Sequence, residues 1–345
     1  MKQADEQPLL PRLAYAGRPL IRLTEDQRRA IERFRAACDD GSIRFEPANC
    51  VCGSPRGAGK LLATQDRYGL PVHTHLCRRC GMLWTSPRMT RASLNHFYAH
   101  HYRGIYTGRQ NADDAFYLSQ QKQGKRLLNY IHPAFRRPRD RRPVVLDIGC
   151  GAGGMLAPLR QDGWQAAGCD LGADYLDRGR REGLELHQGD WRTLSHLAGA
   201  DLVIASHVLE HCPDPISELR GWASLLRPGG MMYVELPGVF QSYWWYGDFG
   251  FYLQNAHLYH FSLATLAVLL SRAGLSPVKG DEFIHGLFVK DDCPARSADP
   301  WHAGRVERYL LDAEAQFLAG TLQTRLTTTP PEKRGGMLLP AREAA

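Results

Sequence analysis

The sequence contains no long hydrophobic run and no secretion signal. Its longest mostly apolar stretch, residues 263–270, is far too short to cross a bilayer. Residues 1–23 are polar and contain several prolines, without the apolar core of a signal peptide. Low-complexity blocks and internal repeats are also absent, which excludes fibrous and repeat proteins. These absences predict a soluble, cytoplasmic globular protein with no membrane partner.

Cysteine is present in an odd number, nine, so a disulfide framework is not expected in a chain without a secretion signal. Four of the cysteines form two close pairs, Cys50 with Cys52 and Cys77 with Cys80. Each pair is followed by glycine, and the second has the C-x-x-C spacing that suits tetrahedral zinc. We predict one structural zinc site from these four thiolates. Ligands from HTH (73–75), reduced thiols and a redox pair remain alternatives.

Charge is distributed unevenly along the chain. The net charge is +7, yet residues 1–143 hold 26 Lys and Arg against 12 Asp and Glu, whereas the remainder holds 17 against 24. A basic front half suits a phosphorylated ligand or nucleic acid, and it is equally typical of a solvated face. Residues 136–142, RRPRDRR, have the composition of an exposed linker.

From residue 143 onward, short apolar runs alternate with helical segments. The expected strands are 144–149, 165–170, 184–188, 201–206 and 231–236, with helices beginning near 153 and spanning 175–182, 214–225 and 262–272. Two closely spaced strands, 278–284 and 287–290, predict a hairpin whose last strand runs antiparallel. The pattern indicates an α/β fold with a doubly wound, mostly parallel sheet. Outside it we expect helices at 25–38 and 304–322 and a disordered tail from Thr327.

A glycine-rich segment, LDIGCGAGG (146–154), joins the first of these strands to a helix. Gly149 and Gly151 allow a tight turn and a close approach of backbone to a ligand, as in nucleotide-binding loops. Asp147 precedes the loop, where its carboxylate would repel a dinucleotide pyrophosphate but favour the ammonium and sulfonium of S-adenosylmethionine. The sequence therefore predicts S-adenosylmethionine as the cofactor.

Two further acidic residues end the next two strands. Asp170 is placed to accept the ribose hydroxyls, and Asp190 to meet the adenine amino group, with Trp191 beside the ring. Carboxylates at three successive strand ends form a specific pattern that ordinary turn acids do not explain well.

These segments, together with DLVIASHVLEH (201–211) and LLRPGGMMYVE (225–235), resemble the successive motifs of class I methyltransferases. The resemblance covers about residues 143–290. It implies a Rossmann-like seven-stranded sheet with a reversed last strand, and it implies that Ser206 contacts the cofactor together with Asp147, Gly149, Gly151, Asp170 and Asp190. The predicted organisation is an extension (1–45), a zinc-ribbon-like module (46–92), a helical lid and linker (93–142), the methyltransferase domain, and a C-terminal helix and tail (291–345).

The same region contains H-x-x-E-H, a metallopeptidase pattern, at 207–211. That site needs a sustained helix, and the prolines at 213 and 215 make one unlikely to form there. For methyl transfer we predict His211 as general base, oriented by Glu210. His257 and His260 are the next candidates, although packing or capping explains any of these histidines equally well.

The cysteine segment, through residue 98, resembles the N-terminal zinc-binding segment of some sugar C-methyltransferases and related polysaccharide-cluster enzymes. Those enzymes have C-x-x-C in both halves, whereas Asn49 stands here where the first cysteine would be. The leading hypothesis is methyl transfer to a small acceptor, such as a nucleotide-linked sugar. RNA methylation through the basic front half and a non-catalytic cofactor-binding scaffold are the alternatives. The sequence does not determine the oligomeric state.

Overall fold

A computed structural model describes residues 7–106, 113–292 and 294–325. The chain forms two compact units, each assembled from separated stretches of sequence. Unit 1 takes its described residues from Met1–Gly108, Pro237–Thr265 and Ala298–Ala345, and unit 2 from Arg109–Leu236 and Leu266–Ser297. Residues 237–265 fall inside the region that resembles a methyltransferase, yet they belong to unit 1. The predicted tail from Thr327 lies outside the described residues.

The strands of the described residues alternate with helices in the second half of the chain, as expected. In chain order they are β1 (Phe45–Glu46), β2 (Gly59–Gln65), β3 (Pro71–Cys77), β4 (Leu83–Thr85), β5 (Arg88–Met89), β6 (Val144–Ile148), β7 (Gln165–Asp170), β8 (Glu185–Gln188), β9 (Ala200–Ser206), β10 (Leu226–Glu235), β11 (Tyr259–His260), β12 (Leu275–Lys279) and β13 (His285–Lys290).

The α-helices of the same residues range from one turn to five turns. They are α1 (Glu25–Asp39), α2 (Arg91–His100), α3 (Tyr102–Tyr106), α4 (Asp114–Ile131), α5 (Leu156–Gln161), α6 (Ala173–Arg180), α7 (Pro215–Ser224), α8 (Ser242–Tyr246), α9 (Phe249–Tyr252), α10 (Leu263–Ser271) and α11 (His302–Leu318). Within the described ranges, none of them combines the length and apolarity that a membrane span requires.

Unit 2 is organised around a seven-stranded sheet in the order β12-β13-β10-β9-β6-β7-β8. Strands β6 to β10 pair in parallel, whereas β13 is antiparallel to both β10 and β12. The central strands are buried almost completely, since helices cover a parallel sheet on both faces. The predicted fold, including the reversed last strand, is confirmed.

Two predicted boundaries in unit 2 are wrong for local reasons. The first hairpin strand is β12, not residues 278–284, because an edge strand tolerates Pro277 and the chain turns before Ile284, which has a φ of 55°. The helix expected from Gly153 begins only at Leu156, since Gly153 has a φ of 71° that a right-handed helix does not accept.

The arginine-rich segment before β6, predicted as an exposed linker, is anchored to the sheet. Both Nη atoms of Arg141 donate to the Asp201 carboxylate, at 2.6 and 2.8 Å, and Nε of Arg227 donates to it at 2.7 Å. The Val144 amide donates to the same carboxylate at 2.8 Å. Asp201 is fully buried at the start of β9, so part of the positive charge of the linker balances a buried carboxylate.

Unit 1 contains a four-stranded antiparallel sheet, in the order β11-β4-β3-β2, and a small ribbon of β1 and β5. Helix α1 begins at a capping box formed by Thr24 and Gln27, as predicted for the start of this helix. An early segment of the chain packs against later ones in this unit, because Arg12 donates to both Asp248 and Glu314 at 2.8 to 3.0 Å. Helix α11 therefore packs as part of this unit, and a left-handed Gly320 follows its end.

Candidate functional site

The glycine-rich loop after β6 lies at the carboxyl edge of the unit 2 sheet. Gly149 has a φ of 68°, and a Cβ there would lie 2.5 Å from a methyl group of Val208. Gln120 of α4 is hydrogen-bonded to the backbone of the loop at two points. Its Nε2 donates to the Cys150 carbonyl at 3.0 Å, and its Oε1 accepts from the Gly154 amide at 3.1 Å. Sequence analysis missed Gln120, because α4 precedes the motif by about thirty residues.

Asp147, the residue before the last of β6, is a buried carboxyl group with an unmatched oxygen. Its side chain is 2% exposed, and its Oδ2 has no hydrogen-bond partner among the described residues. Burial, followed by the negative charges of Asp170 and Glu235, raises the pKa of Asp147 well above its ordinary value. A cation beside this carboxyl group would relieve both effects, so the site fits the ammonium of the predicted cofactor.

Asp170 ends β7 and binds the glycine loop directly. Its Oδ2 accepts from the Gly151 amide at 2.9 Å and its Oδ1 from the Gly172 amide at 2.8 Å. These bonds orient the carboxylate at the sheet edge.

Asp190 caps the 3-10 helix Trp191–Leu197 that follows β8. It accepts from the Arg192 amide at 2.9 Å and forms an ion pair with the Arg192 guanidinium at 2.7 Å. The Trp191 ring lies against Gly221 of α7, where a Cβ would come within 2.2 Å of the ring. Trp191 therefore has a packing role. Arg192 already binds the Asp190 carboxylate, so an adenine amino group would share that carboxylate with Arg192.

The ends of β9 and β10 bring a second group of polar side chains to this edge. Ser206 Oγ donates to Glu235 Oε2 at 3.1 Å, and Tyr233 Oη lies 3.4 Å from the same oxygen. His285, at the start of β13, places its Nε2 3.8 Å from Glu235 Oε1. Sequence analysis predicted Ser206 but not Glu235, which is a strand-end acid like the other three.

His207 follows β9 in a strained conformation, with a φ of 56°. Its Nδ1 lies 3.5 Å from Glu210 and its Nε2 4.0 Å from Glu235. Desolvation opposes protonation, but the hydrogen bond and charge of Glu210, with the charge of Glu235, raise the pKa of His207 to about 9. The sequence contained His207 in the H-x-x-E-H pattern, but its backbone strain and its two carboxylate neighbours appear only in the structure.

Glu210 and His211 lie on a 3-10 turn, Leu209–His211, rather than on a sustained helix. The helical i, i+4 arrangement of the peptidase pattern is therefore absent at this position, as the prolines predicted. Glu210 is 2% exposed, and its Oε1 lies 3.9 Å from His211 Nε2. Burial raises the pKa of Glu210, but the charges of His211 and His207 lower it overall. The structure brings together the predicted pair and adds His207.

Residues 117–279 match a family model described as a methyltransferase domain. This segment is a methyltransferase domain. The match confirms the prediction drawn from the motif order, and it covers the glycine loop and every strand-end side chain of unit 2 described above.

Curated relatives match a quarter to a third of the chain. A ubiquinone biosynthesis O-methyltransferase of Aeromonas salmonicida is 35% identical over 99 residues, which are 26% of this chain and 42% of the relative. The corresponding protein of Marinobacter nauticus is 34% identical over 118 residues, 31% of this chain and 48% of the relative. The chain thus spans less than half the length of these relatives.

Solved structures similar to this chain have low identity to it. A magnesium protoporphyrin IX methyltransferase from Synechocystis is 18% identical with a TM-score of 0.41, over 58% of this chain and 98% of that one. An amino pentose methyltransferase from Micromonospora echinaspora is 19% identical with a TM-score of 0.37, over 49% and 90%.

His257 and His260, predicted as further catalytic candidates, belong to unit 1. They are 4% and 2% exposed, and their rings lie 5.6 Å apart. His257 Nε2 is hydrogen-bonded to the Gln254 amide, and the His260 ring packs 4.8 Å from that of Tyr252. They therefore form a buried aromatic and polar cluster within unit 1.

The four predicted metal ligands converge in unit 1. The Sγ atoms of Cys50 and Cys80 are 3.6 Å apart, as are those of Cys52 and Cys77, and all four lie within 4.8 Å of one another. Four thiolates around a tetrahedral zinc with Zn–S bonds of about 2.3 Å require sulfur separations of this size. These separations are too long for disulfides.

Both cysteine turns are closed by a glycine with a positive φ. The Gly53 amide donates to the Cys50 carbonyl at 2.8 Å, and the Gly81 amide to the Cys77 carbonyl at 3.0 Å. The C-x-C pair thus also lies in a turn closed by glycine, despite Asn49, although its hydrogen bond spans three residues and that of the C-x-x-C pair spans four. Hydrogen bonds from neighbouring thiols, that of Cys50 first, lower the pKa of Cys52.

The histidines of the HTH segment are not among the four clustered metal ligands. His75 Nε2 is hydrogen-bonded to the Ser86 carbonyl at 3.0 Å, and its ring packs 5.2 Å from that of Trp84. Partial burial lowers the pKa of His73.

Proposed function

We propose that this protein transfers a methyl group from S-adenosylmethionine to a small-molecule acceptor, with sugars, including nucleotide-linked sugars, as the first class to test. The observation that carries the proposal is Asp147, a buried carboxyl group with an unmatched oxygen at the edge of a methyltransferase sheet. When bound, the cofactor supplies an electrophilic methyl group on a sulfonium.

The proposed cofactor contacts follow the strand ends. Asp147 holds the ammonium, and the backbone at Gly149 and Gly151 approaches the amino acid part of the ligand. Asp170 accepts the ribose hydroxyls, Asp190 and Trp191 lie on the adenine side, and Ser206 lies at the end of β9. Because Asp170 is fixed by two backbone amides, it needs little reorganisation on binding.

Proton removal from the acceptor is assigned to the histidines beside Glu210. His211, oriented by Glu210, is the first candidate for the general base, and His257 and His260 are retained as candidates from unit 1. His207, with its pKa of about 9, is mostly protonated at neutral pH, which suits stabilisation of negative charge better than proton abstraction.

Calorimetry with S-adenosylmethionine tests the cofactor assignment. Asp147→Asn and Asp170→Ala should each weaken binding at least about tenfold, the loss expected for one charge-assisted contact. Asp177→Asn, an exposed carboxylate of α6 paired only with Arg180 at the surface, is the matched control and should bind normally. Absence of binding to the folded wild-type protein would remove the proposal.

An acceptor screen of nucleotide sugars, RNA and small phenols then tests the substrate class. Turnover with a sugar supports the proposal. Turnover with RNA alone, with binding that falls steeply as salt rises, would instead support RNA methylation. Cofactor binding without turnover on any acceptor would favour a scaffold.

A further inference from the structure

Unit 1 contains a buried arginine, Arg67, that has no carboxylate partner. Arg67 is 3% exposed and lies in the turn between β2 and β3. Among the described residues no carboxylate forms an ion pair with it, and its hydrogen bonds go only to neutral acceptors. An always-charged guanidinium that is removed from water in this way is costly unless an anion balances it.

The hydrogen bonds of Arg67 leave donors unused. Nη2 donates to Tyr68 Oη and to Gln254 Oε1, each at 2.9 Å, and Nη1 donates to the Phe251 carbonyl at 3.2 Å. Nε has no partner among the described residues. Nδ2 of Asn255, next to Gln254 and 8% exposed, also lacks one. Both unmatched groups are donors, so what the cluster lacks is an acceptor.

The backbone holds Arg67 firmly in place. Its amide donates to the Leu253 carbonyl at 3.0 Å, and its carbonyl accepts from the Leu20 amide at 2.9 Å. The charge of the neighbouring Asp66 interacts with that of Arg67, but no hydrogen bond joins the two side chains among the described residues. The Asp66 carboxylate instead accepts from the backbone amides of Tyr68, Leu70 and Asn255 at 2.9 to 3.0 Å.

One side of the cluster reaches the surface of unit 1. The Arg67 guanidinium lies 5.5 Å from the ring of Tyr106, which is 42% exposed. Gln254, which binds Arg67, is also hydrogen-bonded to His257, one of the proposed base candidates. A ligand group at Arg67 would therefore lie beside residues already assigned to the acceptor.

We propose that Arg67 binds an oxyanion, a carboxylate or a phosphate, carried by the acceptor. The planar guanidinium matches both groups, and either would supply the acceptor that Nε lacks and a negative charge in direct contact with Arg67. The assignment of this anion to the acceptor rests on the proposed methyl transfer, whereas anion binding itself does not.

The test measures thermal unfolding of the full-length, metal-loaded protein in increasing inorganic phosphate, with chloride keeping the ionic strength constant. A parallel series uses acetate. Ligand that binds only the native state raises Tm along a saturating curve, from which Kd is obtained. We expect such a curve with phosphate or acetate, and the anion that gives it distinguishes the two groups.

Arg67→Gln should weaken this binding at least about tenfold. Arg22→Gln, which removes an exposed arginine of the same unit, should leave it unchanged. General stabilisation by phosphate appears equally in all variants, so it does not imitate the effect. An unchanged curve in Arg67→Gln, or no saturating curve with either anion in the wild-type protein, overturns the proposal.

Gln254→Glu keeps the proposal testable even if Arg67→Gln fails to fold. The new carboxylate pairs with Arg67 internally, so Tm without phosphate should rise and the phosphate response should disappear. A retained response would contradict the proposal. Calorimetry with S-adenosylmethionine on the same proteins separates the two ideas, because loss of cofactor binding removes the methyl-transfer proposal without affecting the phosphate result.

Discussion

At the scale of single residues, the hydrogen-bond partners of a buried carboxylate distinguish a ligand-binding role from a structural one. Asp147 is buried without a partner for Oδ2, whereas Asp201 is equally buried but receives four hydrogen bonds. A buried carboxylate with all its hydrogen bonds made stabilises the folded protein. A buried carboxylate with an unmatched oxygen destabilises the unliganded protein, and a bound cation offsets that loss. The two aspartates look alike in the sequence, and their partners differ.

Asp147→Asn should make the unliganded protein more stable and its cofactor binding weaker. Because the pKa of Asp147 is raised in the folded state, its ionisation lowers stability progressively as pH rises from about 4. The variant removes this loss, so its Tm should exceed that of the wild-type protein at pH 8. Differential scanning calorimetry checks this, and a lower Tm would show that Asp147 is satisfied in a way the structure does not reveal.

His207 should contribute stability that depends on pH in the same sense as Asp147, but over a higher pH range. Its pKa is about 9 in the folded protein, above the ordinary 6.5, so the protonated form favours the native state. The contribution is complete below about pH 6.5 and is lost as pH rises through about 9. His207→Gln should lack it. Urea unfolding at pH 6 and pH 9.5 should show a smaller difference for the variant than for the wild-type protein.

At the scale of elements, the arginine-rich segment before β6 has a structural role that its composition concealed. Arg141 and Arg227 come from positions before β6 and inside β10, and they meet at the buried start of β9. Arginines in a proline-rich stretch are typical of linkers, but the side chain of Asp201 enters the sheet and requires them. Sequence proximity gave no sign of this contact, because it joins residues 60 positions apart.

Asp201→Asn should destabilise unit 2 by about 2 kcal/mol, the usual cost of losing hydrogen bonds to a charged group. This loss of stability is smaller than the loss for a fully buried ion pair, because the Arg141 and Arg227 side chains are 40% and 36% exposed. Asp162→Asn is the control, since its pair with Arg137 lies at the surface and contributes little. Denaturant unfolding measures both, and equal effects would contradict the assignment.

The two cysteine turns should bind one metal ion per chain. Removal of zinc by a strong chelator, or Cys80→Ser, should lower Tm by about 10 °C or more, because loss of a structural metal is among the largest single losses of stability. Cys38→Ser removes a half-buried thiol of α1 outside the cluster and should retain the metal. Metal analysis of the purified proteins checks the stoichiometry, and a metal-free, equally stable wild-type protein would exclude zinc.

At the scale of the whole molecule, unit 2, which contains the seven-stranded sheet, is interrupted in sequence by a segment of unit 1. Residues Pro237–Thr265 follow β10 directly and belong to unit 1, which also contains the cysteine cluster and both ends of the described chain. The acceptor-side candidates His257 and His260 come from this inserted segment. A boundary drawn along the sequence alone does not separate the two units.

His211→Ala should reduce turnover about a hundredfold or more on any acceptor that the screen identifies, while leaving S-adenosylmethionine affinity unchanged. The reason is that His211 is assigned to proton removal rather than to cofactor binding. Steady-state kinetics with calorimetry measures the two effects separately. Full activity of this variant would contradict the assignment of His211 and would favour His257 or His260 as the general base.

The sequence by itself determined the mostly parallel sheet with its reversed last strand, the glycine loop and the acids at its strand ends. Buried parallel strands are contiguous apolar runs, and a residue that ends a strand is fixed at the sheet edge by covalent connection alone. Tight cysteine pairs likewise predict a cluster of four thiols because their spacing is local.

Only the tertiary structure decided which side chains meet. Glu235 beside Asp147, Gln120 on the glycine loop and the carboxylates around His207 all involve residues from different elements. The same holds for Arg67, whose missing counter-charge is visible only once its burial and its neighbours are known. Such contacts depend on packing between distant segments, which local periodicity and spacing do not encode.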